Sequence, residues 1–197
     1  MPTPSPLDQL LPPSLHPLCE GQSHPAGTLL SLSGHKPRWM YFVNEGEVVL
    51  ERHGENGEAV CLQRCQRGFV GEASLTSGRY HCDARTTRPS MVTRIPVEAL
   101  RQALRDDRSF SERWIAMLSG EVRRLRLANE RLGLPKVRDR LLHLLETEGS
   151  QGRYTLDCTL KQLAQQLAVT HEALYRALAE LERAQRIERT DRAIRLR

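Results

Sequence analysis

Residues 159–183 read TLKQLAQQLAVTHEALYRALAELER. Thr159, followed three residues later by Gln162, forms a capping box that predicts a helix from residue 160 to about residue 167. Thr170 caps a second helix. The apolar side chains of this second helix recur with helical spacing and predict its buried face: Ala173, Leu174, Ala177, Leu178 and Leu181. Two helices joined by a three-residue turn predict a helix-turn-helix.

Polar side chains occupy the other face of the second helix. The first turns of this helix contact base edges when a helix-turn-helix binds DNA. An arginine there can donate two parallel hydrogen bonds to guanine, and a glutamate can accept one from the amino group of cytosine. The sequence therefore predicts a set of DNA contacts in the helix-turn-helix: Lys161, Thr170, His171, Glu172, Tyr175 and Arg176.

The last twelve residues, RIERTDRAIRLR, alternate in polarity and predict a two-stranded ribbon, the wing of a winged helix. We predict that Arg189 and Arg192 in this ribbon contact DNA phosphates. The distribution of charge agrees with a DNA contact in this part of the chain. Residues 136–197 hold 12 Lys and Arg against 9 Asp and Glu, whereas residues 1–100 hold 9 Lys and Arg against 10 Asp and Glu. On charge alone, a solvated helical surface remains the alternative to a nucleic-acid interface.

Apolar residues recur at alternating intervals of three and four before the helix-turn-helix. β-Branched residues at the a positions with leucine at the d positions favour a parallel two-stranded coiled coil. A polar residue at an a position, Asn129, favours one register and a dimer. A helix packed within one chain is the alternative. The predicted dimerisation residues are Ile115, Leu118, Val122, Leu125, Asn129 and Leu132.

Short apolar runs of strand length, separated by glycine, mark the region from residue 26 to about residue 96. The dipeptide Asn56-Gly57 between two runs is a hairpin signal, because both turn positions favour positive φ. Many short strands with regular turns predict a sandwich or a jelly-roll barrel. The runs are residues 28–32, 39–43, 48–52, 59–63 and 91–95.

Breaks in these patterns divide the chain into four parts and predict an α+β fold. Gly133-Leu134-Pro135 ends the long helix, and a further helix follows from residue 136 to about residue 148. The first 25 residues are rich in proline and serine and predict a loosely held segment with at most a short helix. The predicted parts are an N-terminal lead-in at 1–24, a jelly-roll β barrel at 25–105, a dimerisation helix at 106–133 and a winged helix-turn-helix at 134–197.

Composition argues against several classes of protein. No apolar run approaches the roughly 18–20 residues that span a bilayer, so no membrane partner is expected. Residues 1–8 lack the basic region and apolar stretch of a secretion signal. Five irregularly spaced cysteines do not suit a disulfide framework, so we expect a cytoplasmic protein.

Four stretches resemble the Crp–Fnr family of transcription regulators, which includes the cyclic-AMP receptor protein. They are PAGTLL at 25–30, NEGEV at 44–48, GFVGEA at 68–73 and VTHEALYRAL at 169–178. The resemblance covers about residues 24–197. It implies a domain like the cyclic nucleotide-binding domain, a homodimer, a palindromic double-stranded DNA site and contact with RNA polymerase. The chain departs from the family at Ala168, where a turn glycine is common, and at His171, where arginine is common.

The family's phosphate-binding segment is only partly present. In members that bind cyclic nucleotides, a Gly-Glu pair is followed about ten residues later by Arg-Ser or Arg-Thr, whose arginine neutralises the phosphate. This chain has the Gly-Glu pair, but Tyr80-His81 stands at the second position and Arg79 is one residue short. Cyclic AMP is therefore not expected as effector, although a cyclic-nucleotide-responsive regulator stays the alternative. The predicted effector pocket contains Gly71, Glu72, Tyr80, His81 and Cys82.

Cysteines in the first half of the chain are candidates for a metal, haem or thiol-redox input, and the cofactor is otherwise unknown. They are Cys19, Cys61, Cys65 and Cys82. Cys65 is the preferred reactive thiol, because Arg64 and Arg67 flank it. Cys61 and Cys65 are about 13 Å apart along a strand, which is too far for one metal unless the strand bends. Cysteines that only fill the core are the alternative for each. A weaker ligand set is His16, Cys19 and His24.

Two further classes of protein compete with a DNA-binding regulator. A cupin-type enzyme would hold a catalytic metal in the same barrel, but its His-x-His motif with downstream Glu and His is missing among the histidines. A signalling adaptor would dimerise without reading DNA, and the presence of Glu172 and Arg176 on the recognition face would then have no functional explanation. The sequence therefore predicts a homodimeric regulator that is not an enzyme.

Overall fold

The computed structural model describes residues 6–54, 57–156 and 158–197. Two compact units make up the chain, one ending at Ala116 and the other beginning at Met117. In these described residues, no helix is both long enough and apolar enough to cross a membrane.

The first unit contains two four-stranded antiparallel sheets. Their strands in the described residues are β1 (Glu20–His24), β2 (Leu29–Ser31), β3 (Trp39–Glu45), β4 (Val48–His53), β5 (Ala59–Cys65), β6 (Gly68–Val70), β7 (Asp83–Thr86) and β8 (Ser90–Pro96). One sheet has the order β1-β8-β3-β6, and the other has the order β2-β7-β4-β5. The strands therefore cross between sheets along the chain, as in a jelly roll.

Apolar side chains from both sheets form one core between them. This core contains Tyr41, Val43, Val48, Leu50, Cys65, Val70, Cys82, Ala84 and Val92. The two sheets do not close on each other, so the domain is a jelly-roll sandwich and not a closed barrel. The predicted α+β class and jelly-roll domain are confirmed.

Five strands coincide with the apolar runs that predicted them, namely β2, β3, β4, β5 and β8. The sequence did not predict β1, β6 or β7. Strand β1 reads EGQSH and is largely polar, because it lies at the sheet edge and is mostly exposed. It begins at Glu20, which pairs with Arg94 on β8 at 2.6 Å. The sheet thus starts inside the segment 1–24 that was predicted as a lead-in.

The predicted hairpin joins β4 and β5. Asn56 lies outside the described residues, and Gly57 has a φ of +82°. The two strands pair in antiparallel register from Val48 opposite Cys65 to His53 opposite Ala59. The hairpin itself therefore forms between the runs that predicted it.

From Pro6 onward the N-terminal segment is packed, which corrects the prediction of a loosely held lead-in for these described residues. Helix α1 (Pro6–Leu10) is followed by a 3₁₀ turn at His16–Leu18. Three leucines spaced four residues apart along this segment are buried: Leu7, Leu11 and Leu15. The guanidinium of Arg113 also donates a hydrogen bond to the Leu10 carbonyl at 3.2 Å. Only Leu7 lies in α1, and burial of all three leucines holds the segment in place.

Two helices follow β8: α2 (Val97–Asp106), which the sequence did not predict, and α3 (Arg108–Gly133). In the first unit, Phe110 and Trp114 of α3 are buried, and the Trp114 ring makes an edge contact with Phe69 at 5.0 Å. Most of the predicted dimerisation residues are exposed: Ile115 at 61%, Val122 at 47%, Leu125 at 47% and Leu132 at 44%.

The second unit contains the predicted winged helix-turn-helix. After the end of α3 its elements are α4 (Val137–Glu148), β9 (Arg153–Thr155), α5 (Leu160–Gln166), α6 (His171–Arg183), β10 (Ile187–Thr190) and β11 (Ala193–Leu196). The wing is a three-stranded sheet of order β10-β11-β9, in which β9 was not predicted. One core joins the helices and the wing: Leu141, Leu144, Leu145, Leu163, Leu167, Leu174, Leu178, Leu181, Ile187 and Ile194.

Candidate functional site

A threonine side chain caps the N-terminus of each helix in the helix-turn-helix. The Thr159 hydroxyl accepts from the Gln162 amide at 3.2 Å, and the Gln162 side chain accepts from the Thr159 amide at 2.9 Å. The Thr170 hydroxyl accepts from the Ala173 amide at 3.1 Å. The predicted capping box and N-cap are confirmed. The Thr170 cap satisfies a free amide in the first turn of α6, and the helix therefore begins at His171.

The turn between the helices bends at Ala168, whose φ is +52°. The Val169 amide bonds to the Ala164 carbonyl at 3.0 Å, which closes α5 as a helix with a left-handed C-terminal residue does. Arg140 also donates to the Leu167 carbonyl at 3.0 Å and holds the turn against α4. A side chain in this backbone region costs about 1 kcal/mol, which explains why glycine would be favoured there.

The exposed face of α6 carries the side chains predicted to read DNA. Leu174 and Leu178 are fully buried, whereas His171, Glu172, Tyr175 and Arg176 are exposed. The rings of His171 and Tyr175 meet edge to face at 4.5 Å. In the part of the chain that the structure describes, Glu172 and Arg176 make no ion pair. Their charged ends are available to a ligand at the first turns of the helix.

The remaining predicted DNA contacts lie on neighbouring elements. Lys161 is exposed in the first turn of α5, and Arg192 is exposed in the turn between β10 and β11. Arg189 is half-buried on β10, where its guanidinium lies 3.4 Å from Glu182 of α6. Arg189 therefore also links the wing to α6.

The predicted effector-pocket residues lie close together in the first unit. Gly71 has a φ of +93°, which strongly favours glycine, and leads into a 3₁₀ turn at Glu72–Ser74. The Ser74 hydroxyl and His81 Nδ1 are hydrogen-bonded at 2.9 Å. Cys82 follows in the core. The turn after β6 therefore lies next to the residues that lead into β7.

Tyr80 is a buried core residue at the position where the family resemblance expects a phosphate-binding arginine. Its hydroxyl donates to the Trp39 carbonyl at 2.6 Å and accepts from the Trp39 amide at 3.2 Å. Burial raises the pKa of Tyr80, so the side chain stays neutral. No positive charge is supplied by this residue.

A register shift between β4 and β5 places Cys61 and Cys65 on different faces of their sheet. Cys65 lies opposite Val48 and is buried in the core, whereas Cys61 lies opposite Glu51 and is exposed. Residues four apart on a regular strand share a face, but the extra residue of a bulge reverses the alternation. These two cysteines therefore do not point toward one site.

The metal or redox role of the cysteines stays a prediction, and the described residues do not gather these cysteines into one cluster. Burial raises the pKa of the Cys82 and Cys19 thiols, which disfavours the thiolate form that binds metals. Arg64, predicted to activate Cys65, donates instead to Glu47 at 3.1 Å. Among the described residues, no cluster of three possible metal ligands includes a cysteine, whether from the predicted set or from the weaker set at His16, Cys19 and His24.

Two arginines that the sequence analysis missed organise the second unit. Arg140 donates to the Leu134 carbonyl at 2.7 Å as well as to the turn before α6. Arg131 is 1% exposed and pairs with Glu148 at the end of α4. Neither arginine stands in a recognisable motif, so only the packing shows these contacts.

A jelly-roll domain, a long helix and a winged helix-turn-helix with an accessible recognition face define a DNA-binding regulator with a sensory domain. Family models agree: the cyclic nucleotide-binding domain matches residues 22–107, and the Crp-like helix-turn-helix domain matches residues 136–197. The chain belongs to the Crp–Fnr family of transcription regulators, which are not enzymes. The alternative of a cupin-type enzyme is therefore wrong.

Solved structures share the fold over nearly the whole chain. A proposed cAMP-binding regulatory protein from Silicibacter pomeroyi is 25% identical, with 98% of this chain and 90% of that chain covered and a TM-score of 0.61. FixK2 from Bradyrhizobium japonicum is 21% identical, with coverage of 91% and 92% and a TM-score of 0.62. The c-di-GMP-responsive regulator CLP from Xanthomonas campestris is 21% identical, with coverage of 91% and 94% and a TM-score of 0.58. No curated protein matches the sequence significantly.

Proposed function

We propose that the protein binds a palindromic DNA site as a homodimer and reads bases through Glu172 and Arg176. The observation that carries this proposal is the capped start of α6, which presents both side chains in the exposed first turns. Arginine can bond guanine with both fork nitrogens, and glutamate can accept from cytosine. Thr170, His171, Tyr175 and Lys161 would support these contacts, and Arg189 and Arg192 would contact phosphates.

The exposed apolar row on α3 supports the dimer. Ile115, Val122, Leu125 and Leu132 follow the a and d positions, and each exposes more than two fifths of its surface. Leu118 is half-buried, and Asn129 is exposed at an a position. Large apolar side chains repeated along one helix face favour burial against a partner helix. Two recognition helices in such a dimer imply half-sites about one helical turn apart, and the bound dimer would act on RNA polymerase.

Replacing Arg176 with alanine is expected to cost about 1–3 kcal/mol of DNA-binding free energy and to relax the preference at one guanine. The reason is the loss of two parallel hydrogen bonds to one base. A binding-site selection on the wild type and the variant, followed by titration of the enriched palindrome, measures both effects.

Two comparison variants separate base reading from charge loss. Arg192→Ala should weaken all sequences alike and lower the salt slope by about one, because it removes a phosphate contact. Arg108→Ala removes a 92% exposed charge at the start of α3 and should leave binding unchanged. Equal stringency of selection for the wild type and Arg176→Ala would refute base reading by Arg176.

We expect no tight binding of cyclic AMP by the sensory domain. At the position of the phosphate arginine, the neutral Tyr80 hydroxyl is bonded to the Trp39 backbone. A buried phosphate without a cation has a desolvation cost of several kcal/mol. Calorimetry with cyclic AMP should therefore show no heat of binding. A micromolar constant that disappears in Glu72→Ala would instead establish the cyclic-nucleotide-responsive alternative.

A further inference from the structure

Three possible metal ligands lie together on the outer face of the sheet β2-β7-β4-β5. Glu51 and His53 are two residues apart on β4, and Asp83 lies opposite Glu51 on β7. Leu50 and Ala84, the neighbours of these residues, belong to the core. Because side chains alternate along strands and cross-strand pairs share a face, Glu51, His53 and Asp83 share the opposite face. We call them the outer-face cluster.

The distances in the outer-face cluster suit a single ion. His53 Nε2 lies 3.8 Å from Glu51 Oε1 and 3.6 Å from Asp83 Oδ2. One ligand atom from each of the three residues lies within 4.8 Å of the others. Tetrahedral ligands about 2.1 Å from a zinc ion are about 3.4 Å apart. Small side-chain rotations would therefore bring the three atoms to bonding distance.

Burial and hydrogen bonding orient the acidic ligands. The side chain of Asp83 is 7% exposed and that of Glu51 is 16% exposed, whereas His53 is 45% exposed and leaves a path from solvent. The Ser33 amide donates to Asp83 Oδ1 at 2.7 Å, so Oδ2 is the oxygen that faces His53. A hydrogen bond of this kind from a neighbouring group is how proteins orient metal-binding carboxylates.

One cation already touches the outer-face cluster. Arg85 Nε donates to Glu51 Oε1 at 2.9 Å, and its guanidinium also bonds the Gly27 carbonyl. This arginine balances one of the two carboxylates. The other carboxylate, on Asp83, is nearly buried beside the His53 imidazole, and a buried carboxylate is stabilised by a further positive charge.

We propose that the outer-face cluster binds one divalent first-row transition metal ion through His53 Nε2 and one carboxylate oxygen each from Glu51 and Asp83, with water completing the shell. An imidazole among oxygen ligands favours such ions over Mg²⁺ and Ca²⁺, which take all-oxygen shells. The ligands differ from the cysteines that the sequence suggested. Metal binding at the outer-face cluster does not require DNA, so its test is independent of the proposed DNA binding.

Calorimetric titration of Zn²⁺ into the chelator-treated full chain tests the site. We expect one equivalent to bind, and His53→Gln and Asp83→Asn to weaken that binding by about tenfold or more. His35→Gln removes an exposed histidine outside the cluster, and Cys61→Ser removes the exposed thiol opposite Glu51. Both control variants should bind Zn²⁺ as the wild type does.

Arg85→Gln gives a test that misfolding cannot imitate, because it should increase Zn²⁺ affinity severalfold by removing the competing cation. The site is refuted if the wild type takes up no Zn²⁺, if His53→Gln and Asp83→Asn bind like the wild type, or if Cys61→Ser alone abolishes binding. An Arg85→Gln variant that binds more weakly than the wild type would also contradict the assigned ligands.

Discussion

Replacing Val122 with glutamate is expected to convert the protein from a dimer of about 45 kDa, twice its 22.4 kDa, into a monomer. Val122 occupies an a position of α3 and is 47% exposed within the apolar row. In a parallel coiled coil the two copies of residue 122 face each other, so the substitution buries two like charges in one layer. Sedimentation at micromolar concentration measures the change in mass.

The same variant should lose about 10²–10⁴-fold in affinity for a palindromic site, because the second half-site no longer benefits from linkage. Arg123→Glu is the matched control, since residue 123 is exposed at the next position of the helix and outside the apolar row. It should remain a dimer. A wild-type protein that sediments as a monomer would contradict the dimer proposal before any variant is made.

Replacing Glu148 with alanine is expected to lower the free energy of unfolding of the winged helix-turn-helix by about 3–5 kcal/mol. Arg131 is 1% exposed, and Glu148 is its ionic partner. The Nε and Nη1 atoms of Arg131 find no hydrogen-bond partner among the described residues. Without Glu148, a buried guanidinium would keep only the weak contact to the Thr147 hydroxyl at 3.4 Å.

Urea unfolding followed by circular dichroism measures this loss. Glu146→Ala is the matched control, because Glu146 is exposed on the same helix. Glu148→Gln should fall between the wild type and Glu148→Ala, since an amide can still accept a hydrogen bond but has no charge. Equal stability of Glu148→Ala and Glu146→Ala would show that water solvates the Arg131 guanidinium.

Signals close together in the chain explain why the helix-turn-helix could be predicted. Thr159 with Gln162, and Thr170 alone, satisfy helix amides within three residues of themselves, so the helix starts do not depend on distant contacts. The left-handed conformation at Ala168 is also local, because it belongs to the short turn that joins the two helices. The recognition face then follows from helical periodicity.

Contacts between distant residues explain what the sequence analysis missed. Strands β6 and β7 are three and four residues long, and such strands are defined by pairing with partners far along the chain. The N-terminal leucines Leu7, Leu11 and Leu15 look like part of a loose segment in the sequence, and only the folded unit shows that they are buried. The ion pair between Arg131 and Glu148 joins two residues that carry no motif.

The sequence by itself determined the order of the domains, the starts of α5 and α6, the coiled-coil pattern of α3 and the absence of a phosphate arginine at Tyr80, because each depends on neighbouring residues or on a local motif. Only the tertiary structure decided which candidate ligands come together. The bulge between β4 and β5 turns Cys61 away from the core that contains Cys65, while pairing of β4 with β7 brings Asp83 to Glu51 and His53. Register between strands is set by burial over the whole sheet, and a shift of one residue moves a side chain to the other face.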